Sequence, residues 1–139
     1  MKIFMILIAA LFPFLHNTPY EVQISDCQKD QIIAESQGSK LNLSLFNIHL
    51  KNENAWKKTC SILMEADHVT MEIDPTTQIN EKLSVYLFAD GTLIQEELLS
   101  QGLAYILIRN PEYVYEEQME KAETKTNTDD GKTNDRKKQ

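Results

Sequence analysis

The sequence predicts an α+β domain, mainly β, built as a five-stranded Greek-key barrel capped by about three helices. Three observations predict it. Short runs of alternating or continuous apolar residues recur between turn signals, as strands of a small barrel do. Two stretches of helical periodicity fall after the third and the fifth of these runs. The 139 residues, 42% apolar and 25% charged, are enough for one domain and too few for two ordinary ones.

Taken in order, Glu21 to Cys27 alternates loosely and reads as a first strand. Gln31 to Glu35 reads as a second, and Gly38 offers the turn that follows. Leu41, Leu43 and Leu45 alternate with Asn42 and Ser44, a period-2 strand expected to run on to Ile48. Asn52 or Asn54 can cap a helix through Ala66, whose apolar stripe is Trp56, Cys60 and Leu63. Val69, Met71 and Ile73 alternate with Thr70, Glu72 and Asp74 in a fourth strand that Pro75 ends. Leu83 to Phe88 makes the fifth, stopped by the Asp90-Gly91 turn.

Leu93 to Gln101 follows as a helix that turns Ile94 and Leu98 inward and Glu96 and Glu97 outward. Gly102 stands where a helix C-cap favours positive φ. Leu103 to Ile108 is a short apolar strand, and Pro111 opens a last helix from Glu112 to about Ala122. Three strands, helix, two strands, helix, short strand, helix is the order of a Greek-key barrel of the OB type.

The ends differ from this middle. Residues 1–20 read as a signal peptide or N-terminal anchor: Lys2, then thirteen apolar residues from Ile3 to Leu15, then the polar exit His16-Asn17-Thr18-Pro19. Thirteen helical residues span about 20 Å, short of the ~30 Å hydrocarbon core. No small-x-small triplet marks a cleavage site, so an uncleaved anchor stands beside a cut leader. A buried first strand or helix is the plain alternative. Residues 21–123 form the domain. Residues 124–139 read as a polar tail, since Glu123 to Gln139 contains no apolar side chain.

Charge narrows the function. Between Glu21 and Glu120 seven Lys or Arg face seventeen Asp or Glu, a net of −10. Nucleic-acid affinity comes from Lys and Arg displacing counterions along the phosphates, so this balance weighs against a nucleic-acid partner. His49 and His68 are isolated, and Cys27 and Cys60 lack zinc-finger spacing, so no dedicated metal site is expected. In an exported chain the two cysteines can form a disulfide between the first strand and the first helix; two reduced, buried thiols are the other reading. Glu112, Glu116, Glu117 and Glu120 give the last helix an acidic face, which with Tyr113 and Tyr115 is either a solvated surface or a partner surface.

Tyr86-Leu-Phe-Ala-Asp-Gly91, then Leu93-Ile94, Leu98 and Gln101-Gly-Leu-Ala-Tyr105, resembles the C-terminal half of the staphylococcal nuclease (thermonuclease) family. The stretch Tyr113 to Glu123 is similar to that family's last helix, and the likeness covers roughly Val22 to Glu123. It implies phosphodiester hydrolysis with Ca²⁺ held by two Asp carboxylates and a Thr carbonyl, a Glu that orients water, and two Arg on the phosphate. Carried over residue by residue, Asp30 takes the place of the first Asp, a weak metal candidate. Ser44 stands at the first Arg, and His49, Leu50, Lys51 and Asn52 replace Asp-Thr-Pro-Glu. Lys82 stands at the second Arg, a vestigial catalytic candidate that keeps the charge and loses the bidentate fork.

One carboxylate and one charge out of six groups imply a degenerate site, since the reaction needs the missing ones. Three functional classes follow. The first is an exported, catalytically inactive domain that binds a protein partner and holds no cofactor. The second is a Ca²⁺-dependent nuclease using Asp30 and Lys82. The third is a non-catalytic binder of oligonucleotides or oligosaccharides. A membrane is a partner only if residues 1–20 stay attached.

Overall fold

The computed structural model describes residues 19–77, 82–108 and 113–125. The proposed leader up to Thr18, the Pro111-Glu112 helix start and the tail from residue 126 lie outside the described residues. Strand β1 (Tyr20–Gln28), β2 (Gln31–Ser36) and β3 (Ser39–Leu45) form an antiparallel meander. A short β4 (Ile48–Leu50) leads to helix α1 (Glu53–Glu65), then β5 (Val69–Glu72), β6 (Leu83–Ala89) and β7 (Thr92–Leu93). Helix α2 (Ile94–Ser100), β8 (Ala104–Ile106) and a last helix, α3 (residues 116–125), complete the chain.

Five strands close on themselves. β1 pairs with β5, β5 with β6, and β6 returns to β3 in parallel through Leu43↔Leu83 and Leu45↔Val85. This is the expected mainly-β Greek-key barrel of the OB type, capped by three helices among the described residues. Closure leaves the five barrel strands no long open edge. Its interior is filled by inward members of each alternation, among them Ile32, Ala34, Leu43, Met71, Val85 and Leu87. The β1 register slips between Ile24 and Asp26, a bulge that bends the strand around the barrel.

Each helix sits where the sequence has a cap or a stop. Asn52 caps α1, its Oδ1 accepting from the Ala55 amide at 3.0 Å. The buried stripe of α1 is Ala55, Thr59 and Leu63: Leu63 is as expected, while Ala55 and Thr59 take the inward places expected of Trp56 and Cys60, which lie at the margin. Small Ala and Thr let the helix approach the barrel closely, while Cys60 turns to Cys27 of β1. The two form a disulfide with Cα atoms 5.4 Å apart. Closing a loop between residues 33 apart stabilises the fold by about 3–4 kcal/mol in the chain-entropy picture.

Three local expectations change. The third strand stops at Leu45, because Asn47 turns at φ 59° before β4 begins. The last helix starts at residue 116 rather than 112: Tyr113 to Tyr115 form the turn that leads into it, and the Glu116 amide bonds the Tyr113 carbonyl. Tyr113 and Glu123 are buried and Tyr115 is half-buried, so neither tyrosine belongs to an exposed acidic face. The Glu123 Oε2 accepts from the Ile106 amide at 2.9 Å, which fastens α3 to β8. Glu123 is therefore a structural residue, and α3 continues two residues past it.

Candidate functional site

The tight turn between β1 and β2 places Asp30 at φ 61°, a left-handed conformation that Asp tolerates better than most residues. Opposite it, Lys82 immediately precedes β6, and its Nζ donates to the Asp30 carbonyl at 2.8 Å. The parallel β3–β6 pairing sets Ser44 beside Ser84, their hydroxyls 2.9 Å apart. These elements border a cavity of about 170 Å³ lined by Asp30, Ser44, His49, Trp56 and Lys82 above an aliphatic floor. Four positions picked from the sequence thus line one cleft, although they come from four separate segments.

The chemistry of that cleft is sparse. Among the described residues, Asp30 is its one carboxylate and Lys82 its one ammonium. His49 stacks on Tyr105 with ring centroids 5.2 Å apart. Asn52, at the place where the resemblance asks for a Glu, spends its side-chain oxygen on the α1 cap. Hard Ca²⁺ takes 6–8 oxygen ligands, several of them charged, and a single carboxylate beside neutral hydroxyls does not fit that demand. Among the described residues no three His, Cys, Asp or Glu side chains converge on one point. His68 lies elsewhere, exposed, with its Nδ1 3.3 Å from Glu21 Oε1.

A second polar cluster was not legible in the alternation pattern. Asp74 stands among the polar members of the fourth-strand alternation, and it is buried. The strand ends at Glu72, and the chain then turns Ile73 and Asp74 both inward. Asp74 Oδ1 accepts from the Thr76 amide at 2.9 Å and the Thr76 hydroxyl at 2.6 Å. Its Oδ2 accepts from the Val114 amide at 2.9 Å and the Tyr86 hydroxyl. Asp-Pro-Thr is the signal that could have found it, because an Asp two residues before a Thr readily closes an Asx turn.

Burial alone would raise the Asp74 pKa, but the hydrogen bonds from Thr76, Tyr86 and Val114 outweigh it and hold the carboxyl below its ordinary value. Burial first, and then the Asp74 carboxylate, push the Tyr86 phenol far upward. Tyr115 donates to Glu72 at 2.7 Å and is raised by burial and by that carboxylate. Phe46, Tyr86, Phe88, Tyr113 and Tyr115 pack around these groups in tilted and edge-on pairs, Tyr86 and Tyr115 having centroids 4.6 Å apart. The cluster ties β5, β6 and the approach to α3 together; Phe46, Thr76 and Tyr113 border a groove, while the Asp74 carboxylate itself is enclosed.

Comparison with known proteins supplies no relative for either cluster: no protein-family model matches the chain, and no curated protein matches it.

Proposed function

We propose that this chain is a catalytically inactive, nuclease-like barrel that works outside the cytoplasm as a binding module for a protein partner. The observation that carries the reading is the make-up of the cleft. Asp30, Ser44, His49 and Lys82 line it together, yet among the described residues it offers a single carboxylate and a single ammonium. In-line phosphodiester hydrolysis needs charge fixed on the phosphate and a base for the attacking water. Ser44 supplies neither, and Asn52 is engaged as a helix cap.

Two further features support the reading. The −10 balance between Glu21 and Glu120 repels phosphate backbones and leaves a protein partner as the better match. The Cys27–Cys60 bridge suits an oxidising compartment, in line with export by the N-terminal apolar segment, either cut or kept as an anchor.

The test is cleavage of mixed-sequence single-stranded DNA and RNA by the full chain across a wide Ca²⁺ titration, with Asp30→Asn as control. The expected result is no cleavage at any Ca²⁺ level. Chelator-sensitive cleavage that Asp30→Asn abolishes would establish a working nuclease and overturn the proposal. Salt-sensitive binding of the oligonucleotide without cleavage would instead favour a nucleic-acid binder.

A further inference from the structure

Five large apolar side chains are exposed among the described residues; two of them, Leu107 and Ile108, line one groove, and a third, Val114, follows its lining residue Tyr113 in the chain. Leu107 is 55% exposed, Ile108 57% and Val114 47%. They are not on loose chain. The Leu107 amide bonds the Asn47 carbonyl at 3.0 Å, and the Asn47 side chain both donates to and accepts from the Ile108 backbone, at 2.7 and 2.8 Å. Val114 is held through its amide by Asp74. The fold therefore fixes the backbone and presents the apolar side chains outward.

Leu107 and Ile108 line a groove of about 350 Å³ together with Phe46, Asn47, Thr76, Ser84 and Tyr113. None of these residues is ionisable at neutral pH, in a domain that carries −10. Among the described residues, an uncharged groove lining on a strongly acidic domain is the feature to be explained.

The direction of β1 indicates what covers it. Tyr20 pairs with Met71, three residues before Asp74, in an antiparallel ladder. The N-terminal end of β1 thus points to the corner where Asp74 holds Val114. Thirteen consecutive apolar residues, Ile3 to Leu15, precede that end by only four residues. Four residues reach at most about 14 Å. The most hydrophobic part of the sequence is thus joined to the strand end that points to this corner.

We infer that this end of the barrel, the groove of Leu107 and Ile108 with Val114 beside its lining residue Tyr113, rests on a lipid surface to which the N-terminal segment attaches. The apolar side chains enter the boundary between headgroups and acyl chains, and Asn47, Thr76 and Tyr113 lie at headgroup level. The acidic remainder of the domain faces water. The inference does not depend on whether the Asp30 cleft is catalytic.

The test uses the full chain with neutral phosphatidylcholine vesicles. In a Trp56→Phe background, Ile108→Trp and Met64→Trp place the reporter at the apolar end and at an exposed apolar position on α1. At position 108 the emission should shift blue on vesicle addition and be quenched by brominated lipid; at position 64 it should stay in water. Leu107→Glu with Ile108→Glu should lower the vesicle partition coefficient about tenfold or more, an effect that two half-buried aliphatic side chains can account for. Adding anionic lipid should weaken binding further, because the domain is acidic. A vesicle-bound chain whose reporter at 108 remains in water would overturn the inference. So would concentration-dependent dimerisation in lipid-free buffer that the two Glu substitutions abolish, which would assign the face to a second copy.

Discussion

Asp30 and Asp74 are both aspartates in turns that follow strands, and the fold treats them in opposite ways. Asp30 is exposed at a positive-φ turn, and the contact it makes across the cleft is through its backbone carbonyl, to Lys82. Asp74 is buried, and its carboxylate accepts four hydrogen bonds from Thr76, Tyr86 and Val114. The carboxylate with the environment to do the most is thus a structural one, and the one beside the cleft has been left almost alone. A concentration of donors around an acid marks a functional site only when the acid also faces open space. Here the two properties are divided between two residues.

The sharpest way to break that contrast is to remove each carboxylate. Asp74→Ala leaves several buried donors without an acceptor and should cost about 4 kcal/mol, read as a lowered midpoint in urea with m unchanged. If it costs under about 1 kcal/mol, the cluster does not hold the C-terminal helix in place. Opening the Cys27–Cys60 bridge with reductant, or by a paired change to Ser, should cost about 3–4 kcal/mol by thermal or denaturant melting. Two free thiols in the unreduced protein would contradict the bridge outright.

Acid should reveal Asp74 next. Its folded pKa lies below the unfolded value, so its contribution is fully present above that unfolded value. It should be lost as pH falls below about 4 and through the folded pKa. Asp74→Asn should flatten the acid side of the stability profile; an unchanged acid limb would place the acid sensitivity elsewhere. A smaller effect belongs to Glu123→Ala, which frees the Ile106 amide and should cost about 1–2 kcal/mol and raise hydrogen exchange in β8. Asp30→Gly sits at the opposite extreme. It keeps the carbonyl that Lys82 binds and relieves a positive φ, so stability should hold or rise by up to about 1 kcal/mol.

Much of the barrel was legible in the sequence because strand alternation and turn chemistry are local. Leu41, Leu43 and Leu45 announce β3, and Asn52 announces the start of α1. Gly102, at φ 73°, marks the end of α2. The candidate cleft was legible only as positions along the chain. That Asp30, Ser44, His49 and Lys82 line one cavity follows from the parallel β3–β6 closure, a contact between strands about forty residues apart. The Asp74 cluster was misread because alternation assumes that a strand continues. Here the strand had ended, and the side chain answered to its own turn at Thr76 and to Tyr86 and Val114 from distant segments.

Two kinds of information can now be separated. Composition, periodicity, caps and turn residues depend on neighbours a few positions away, and they determined the α+β class, the order of the elements and the acidic charge of the domain. Burial, pairing and exposure depend on residues brought together across the whole chain. Only the tertiary structure decided that Cys27 meets Cys60, that Asp74 is enclosed, that Tyr113 turns inward, and that Leu107, Ile108 and Val114 remain outside. The physical reason is that a hydrogen bond or a buried area belongs to two partners at once, and the sequence shows each partner separately.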